Sequence, residues 1–202
     1  MNTGVKRAVD LLGASAGLLI AGIPMLVIAT MIRVTMGAPV LHRATRPGRG
    51  GRPFVMLKFR TMREALDENG QPLPDRLRVT RLGATLRRTS LDELPELLNV
   101  LRGEMSLVGP RPLLMQYLTR YTPEQARRHD VLPGITGWAQ VQGRNAISWD
   151  DKLAYDVWYV DHQSLWLDLR ILARTVIRVV RQQDVSREGD LDVPEFRGTT
   201  AT

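Results

Sequence analysis

Leu11–Ile32, LLGASAGLLIAGIPMLVIATMI, is a run of 22 residues without a charged side chain. As a helix rising about 1.5 Å per residue it would reach ~33 Å, enough to cross a bilayer core. Such a segment must be buried in protein or given to lipid, and it is long for a core helix. Pro24 near its middle removes a backbone hydrogen bond and favours a kink. Lys6 and Arg7 precede the run, and a basic region follows it. Positive charge prefers one side of a membrane, which argues for bringing both ends back to the same face. The expectation is a re-entrant membrane helix over residues 1–36, bent at Pro24, rather than a spanning one. No convincing small-x-small cleavage site follows, as a signal peptide would need.

The charge is unevenly spread. No acidic residue lies between Asp10 and Glu64, whereas Arg33, Arg43, Arg46, Arg49, Arg52, Lys58, Arg60 and Arg63 all fall there, within a net charge of +7. That field attracts anionic lipid, phosphorylated small molecules or nucleic acid. Nucleic acid is set aside as a partner, because no recognised module for it is present and the apolar run would have no role. The absence of cysteine excludes a disulfide framework and thiolate metal sites. His42, His129 and His162 do not have the spacing of a zinc site.

At 202 residues one domain with a real core is expected, of α+β class and mostly helical. Residues 37–185 read as a compact catalytic domain, with 186–202 as a polar C-terminal tail. Ala38–His42 and Pro53–Phe59 are short β-prone runs separated by Gly and Pro, suggesting a small irregular hairpin. Residues 64–75 read as an exposed loop. Leu94–Leu101 looks helical and is ended by Gly103. Leu113–His129 is a helical candidate that restarts at Thr122–Pro123. Pro133–Asn145 is a glycine-rich loop suited to close approach of a ligand or to a plain structural role. Trp149–Trp166 is dense in aromatic residues, which suit a membrane interface or a core. In Ser164–Gln183, Arg170, Arg174, Arg178 and Arg181 recur at helical spacing opposite an apolar side. A basic amphipathic surface helix results.

Chemistry concentrates in Ser90–Pro112, SLDELPELLNVLRGEMSLVGPRP. Asp92 and Glu93 follow Arg87 and Arg88, and Arg111 closes the stretch. Nearby cations favour ionised carboxylates. An ionised Asp can attack phosphorus or hold a divalent metal, and arginines suit anionic oxygens. Ser90 followed by Glu93 is also the spacing of a helix capping box. Pro95 sits better if Asp92 is the cap. Spacing alone leaves the structural and catalytic readings both open.

In order along the chain, the matching pieces are the proline-interrupted apolar helix, KFRTM at Lys58–Met62 and RTSLDELPELLNVLRGEMSLVGPRP at Arg88–Pro112. PGITGWAQVQGRNAISW at Pro133–Trp149 and LDLRIL at Leu167–Leu172 complete the set. Together they resemble the bacterial sugar transferases that act as monotopic phosphoglycosyl transferases on polyprenol phosphate. The length is similar to the small stand-alone members, above all those that transfer phospho-N,N′-diacetylbacillosamine to undecaprenyl phosphate.

That resemblance implies Asp92 as the nucleophile on the β-phosphate of a UDP-sugar, with loss of UMP and a covalent phosphosugar–aspartate. Polyprenol phosphate would then carry off the sugar-1-phosphate. It further implies Glu93 as partner in Mg²⁺ binding or proton handling, with Asp92 and Glu93 as the metal ligands. Lys58, Arg87, Arg111 and Arg144 match as phosphate-binding positions, and Asp156 as a further acidic one. The implied donor carries N,N′-diacetylbacillosamine or a related N-acetylhexosamine; galactose or glucose fit less well. A one-step displacement through a ternary complex is the alternative. The implied place is the bacterial inner membrane with the site on its cytoplasmic face, and downstream glycosyltransferases are possible contacts. One departure concerns Ile23, where the family often has Ser before the proline; the missing hydroxyl could have helped satisfy backbone groups freed by a bend.

Overall fold

The computed structural model describes residues 3–71, 73–143, 147–181 and 195–198. Its first element is helix α1, Thr3–Met36, which contains Pro24 without ending there. Lys6, Asp10, Ala14, Ile28 and Ile32 are buried, and Leu18 and Met25 pack beside them. Spacings of three and four place these residues on one stripe, the contact face of an amphipathic helix. Every other face of the middle is apolar and bare: Leu19, Ile20, Ile23 and Leu26 are each at least 70% exposed. The element has the length and hydropathy to cross a membrane.

Both ends of α1 are tied to the same body. At the start, Arg7 donates to the carbonyls of Val100 and Leu101, satisfying acceptors that a helix C-terminus leaves open. At the finish, Arg60 donates to the carbonyls of Met36, Gly37 and Ala38, doing the same for α1 itself.

That second tie shifts the hairpin. Strand β1 runs Leu41–Pro47 rather than beginning at Ala38, because residues 37–40 form the capped exit from α1. Strand β2, Pro53–Phe59, falls where the sequence places it, antiparallel to β1 from Leu41↔Phe59 to Pro47↔Pro53. The outer edge of β2 meets a side chain instead of a third strand. Asn99 accepts from Leu57 N at 3.0 Å and donates to Val55 O at 2.7 Å. An amide carries both a donor and an acceptor, so it can stand in for a ladder partner.

Short helices follow: α2 at Asp75–Arg78, α3 at Arg81–Arg88 and α4 at Glu96–Arg102. Thr80 caps α3, and Gly83 in its first turn lies so close to β2's exit that a Cβ would sit 1.9 Å from the Thr61 carbonyl oxygen. Helix α4 ends as expected on Gly103 in the left-handed region.

Beyond it, β3 (Ser106–Val108) pairs in parallel with β4 (Gly134–Thr136), a second small sheet that the sequence does not announce. Helix α5, Pro123–Ala126, begins at the expected restart through a Thr122–Gln125 capping box. The glycine-rich Pro133–Asn145 stretch is thus not wholly a loop: it holds β4 and helix α6, Trp138–Gln142. Helices α7, Trp149–His162, and α8, Leu165–Arg181, complete the body.

One core joins Ala14 of α1 to Phe54, Met56, Leu97, Val100 and Met105; another joins Val108, Trp138, Tyr159 and Ile171. Each fully buried side chain of this kind contributes about 1.5–3 kcal/mol. Between the cores lies a polar knot. Lys6 reaches Asp168 at 2.8 Å and Asp10 at 3.4 Å. Asp10 accepts from Ser106 Oγ and Leu107 N, and Asp168 from the Tyr159 hydroxyl. Residues 195–198, assigned from sequence to a polar tail, are docked: Phe196 is 2% exposed among Tyr117, Tyr121 and Trp149.

Candidate active site

The hairpin's period of two puts His42, Ala44 and Arg46 of β1 on one face with Met56 and Lys58 of β2. That face forms one wall of a cavity of about 710 Å³. Arg87, Asp92, Glu93, Arg111 and Asp156 also line it, so five sequence-predicted residues and Lys58 share one space. Arg144, the remaining one, lies outside the described residues.

Asp92 and Glu93 occupy a tight 3₁₀ turn, Leu91–Glu93. Ser90 before it has φ 57° and ψ 17°, the left-handed region that a non-glycine residue seldom enters. Neither capping scheme read from the sequence forms: Ser90 makes no side-chain cap, and Pro95 precedes α4. The strained corner instead turns two consecutive carboxylates into the cavity, the kind of strain found at functional sites.

Their environments differ sharply. Glu93 Oε1 accepts from Lys58 Nζ at 2.8 Å and from Arg111 Nη2. Burial alone would raise its pKa, but Arg111 and Lys58 overcome this and hold it well below the usual carboxylate range. Glu93's charge in turn raises the Arg111 pKa. Asp92 is buried, yet no described residue makes a hydrogen bond or ion pair to its carboxyl. Burial first, then the Glu93 charge, push its pKa up, with Lys58, Arg111 and Arg87 opposing. The expectation that nearby cations favour the ionised form is therefore met by Glu93 and corrected for Asp92, where desolvation dominates.

The surrounding residues divide into positioners and open groups. Arg87 donates to Thr61 Oγ1 at 2.9 Å. Asp156, expected to face substrate, is committed elsewhere: its Oδ2 accepts from both Nε and Nη2 of buried Arg128. Arg128 also donates to the Arg111 carbonyl at 2.7 Å, so Asp156 and Arg128 fix the backbone that aims Arg111 at Glu93. Lys58 shares itself with Glu96 at 3.3 Å. Burial and the charge of Glu93 raise Glu96 to about 7.

Sequence reading missed Glu96, Arg128, Tyr117 and Lys152. Only the last two had a local signal, through their place beside the aromatic-rich segment or its partner. Tyr117 and Trp149 form an aromatic wall backed by Phe196, and Lys152 Nζ lies 4.3 Å over the Trp149 ring.

No group of three or more His, Cys, Asp or Glu suited to a metal occurs among the described residues. Mg²⁺, however, is commonly held by one or two carboxylates together with substrate phosphates. Asp92 offers a carboxyl without a partner among the described residues, and Glu93 its second oxygen, Oε1 being engaged by cations. The donor set fits that mode of binding.

Comparison with known proteins identifies the family. The uncharacterized sugar transferase EpsL of Bacillus subtilis (strain 168) is 49% identical over 195 residues, covering 96% of each chain. A UDP-glucose:undecaprenyl-phosphate glucose-1-phosphate transferase of Xanthomonas campestris pv. campestris is 44% identical over 79% of this chain. A UDP-N-acetylgalactosamine-undecaprenyl-phosphate N-acetylgalactosaminephosphotransferase of Aeromonas hydrophila is 38% identical over 85% of it. The chain spans only 35% and 43% of those last two relatives. Residues 1–182 match the family described as bacterial sugar transferase, and on that match, nearly the whole of its length, the chain belongs to this family.

Proposed function

We propose that this enzyme transfers a sugar-1-phosphate from a UDP-sugar to undecaprenyl phosphate through a covalent intermediate on Asp92. The observation that carries the reading is the contrast within the carboxylate pair. Glu93 is clamped by Lys58 and Arg111, whereas Asp92 has no partner among the described residues in a cavity lined by cations. An Asp92 oxygen attacks the β-phosphorus, the bond to the bridging oxygen breaks, and UMP leaves with the electron pair. An oxygen of undecaprenyl phosphate then attacks the same phosphorus, and the Asp92 carboxylate departs. Two easier displacements replace one difficult one.

A raised pKa makes Asp92 a more basic, and therefore better, nucleophile in its ionised form. Activity consequently rises with pH through the Asp92 titration. Lys58, Arg87 and Arg111 neutralise the transferring phosphoryl group, with Arg144 as a further contact. Mg²⁺, held by Asp92 and Glu93 when bound, supplies charge neutralisation on the diphosphate. Glu93 keeps Lys58 and Arg111 aimed at the phosphate region.

An N-acetylated amino sugar is the favoured donor, N,N′-diacetylbacillosamine included. The aromatic wall of Tyr117 and Trp149 offers apolar ring faces on which acetamido methyl groups can pack. The two ties of α1 support a re-entrant, monotopic arrangement: a helix fastened at both ends to one body has no end free to cross. UDP-sugars are made in the cytoplasm, so the cavity faces that side of the inner membrane.

UMP release measured across UDP-hexoses and UDP-N-acetylhexosamines with undecaprenyl phosphate tests the reaction and the donor. Exchange of labelled UMP into UDP-sugar without acceptor tests the covalent step. Its absence in an enzyme that turns over would favour the ternary-complex route.

A further inference from the structure

We propose that His42 recognises a phosphate oxygen at the rim of the cavity and takes up a proton in doing so; this rests on the phosphoglycosyl transfer reading. Its placement follows from register. His42 on β1 is directly opposite Lys58 on β2 and on the cavity face. Opposed residues in an antiparallel pair have Cβ atoms about 4.5–5.5 Å apart, where two fixed like charges are unfavourable. Lys58 is occupied by Glu93 and Glu96, and no described residue hydrogen-bonds the imidazole. His42 is thus an exposed polar group at the cavity wall without a partner among the described residues.

The charges acting on it come from four elements and have one sign: Arg46 on β1, Lys58 on β2, Arg87 on α3 and Arg78 on α2. Burial first, and then these cations, lower its pKa, which favours the neutral ring. An arriving phosphate reverses the local field. It favours the imidazolium form and a charge-assisted hydrogen bond to the ligand.

Location leaves two sources for that phosphate. His42 and Arg60 border both the main cavity and an adjoining hollow of about 560 Å³, lined by Pro39–Arg43 where the chain leaves α1. The diphosphate of the donor and the monophosphate of a lipid acceptor can each reach this rim.

The sign follows from linkage. A ligand that raises the pKa of His42 binds most tightly below the free-site pKa. Its affinity falls as pH rises through the ligand-bound pKa. Binding calorimetry on the full chain in lipid nanodiscs, in buffers of different ionisation enthalpy, reads the protons taken up. One arm titrates UDP-N-acetylglucosamine, whose diphosphate diester has no group ionising near neutrality; the other titrates undecaprenyl phosphate.

His42→Gln should weaken one ligand about fivefold relative to wild type near pH 6, shrinking toward parity near pH 8, and remove the proton uptake that wild type shows beyond the ligand's own ionisation. His42→Arg, charged throughout, should bind that ligand without the proton uptake due to His42. Its pH profile should be flat for UDP-N-acetylglucosamine and should follow only the second phosphate ionisation, at about pH 6, for undecaprenyl phosphate. The arm that responds names the source. Equal proton uptake and pH dependence in wild type and both variants, in an enzyme that releases UMP, overturns the role of His42 and leaves the transferase reading intact. No UMP release from any donor overturns that reading and this one together.

Discussion

Two lysines in this protein are each shared between two carboxylates. Lys6 lies 2.8 Å from Asp168 and 3.4 Å from Asp10; Lys58 lies 2.8 Å from Glu93 and 3.3 Å from Glu96. The pairs are alike in charge and spacing but not in what surrounds them. Around Lys6, neutral donors complete one oxygen of each carboxylate: Ser106 Oγ and Leu107 N give to Asp10 Oδ1, and the Tyr159 hydroxyl gives to Asp168 Oδ1. Around Lys58, a second cation, Arg111, crowds onto Glu93, Asp92 has no partner among the described residues, and the group opens on a cavity. The first arrangement is closed and structural. The second opens on a cavity whose lining carries more basic than acidic side chains, a setting that favours an anion.

Substitutions can break this contrast at four points, taken from the largest effect to the smallest. Asp92→Asn should reduce UMP release by roughly 10³-fold or more, as expected when a nucleophile is removed. Its thermal unfolding should be unchanged or improved, because a buried carboxyl with a raised pKa gains nothing from its charge. Full turnover by this variant would end the assignment of Asp92.

Lys6→Met leaves Asp10 and Asp168 facing one another without their cation. A loss of about 3–5 kcal/mol is expected from breaking a buried pair on one side, read as a lower melting temperature. Activity should fall only in proportion to the folded fraction. An unchanged melting temperature would show that the Lys6 knot is not structural.

Glu93→Gln tests the open cluster by pH. The Glu93 pKa is depressed on folding, so its contribution to stability is present above the unfolded value of about 4.5 and disappears as pH falls through the folded value. Wild type should therefore lose stability faster than Glu93→Gln as pH drops below about 4.5. Parallel acid-unfolding curves would contradict the clamp.

The weakest effect runs the other way. Glu96 rises to about 7 from 4.5, so its ionisation costs stability as pH climbs through that window. Glu96→Gln should melt higher than wild type at about pH 8 and nearly the same at about pH 5. The melting curves of the two proteins at those pH values decide it.

What could be read in advance depended on whether the cause was local. Strand β2, the stop at Gly103, the restart at Thr122 and the start of α8 each follow from residues a few positions apart. The β3–β4 pair escaped because three-residue strands carry no usable alternation and their partners lie far apart in sequence. Ser90 read as a cap because its spacing to Glu93 is right; only the packed corner reveals its left-handed backbone. Within the site, Asp92 and Glu93 stood out as a pair, and their division of labour did not. It arises from Lys58, 35 positions away from Glu93, and Arg111, 18 away. The pairing of Asp156 with Arg128 was hidden for the same reason, since the two are 28 positions apart.

The doubly tied α1 has a consequence for the lipid that such an enzyme tolerates. A helix that crosses a bilayer must match its thickness, and mismatch costs fractions of a kcal/mol per ångström. A helix anchored at Arg7 and again at Arg60 to one body, as in the re-entrant reading, samples only the near leaflet. Lengthening the acyl chains of the host membrane should then leave turnover unmoved, while crowding or loosening the headgroups of that leaflet should change it.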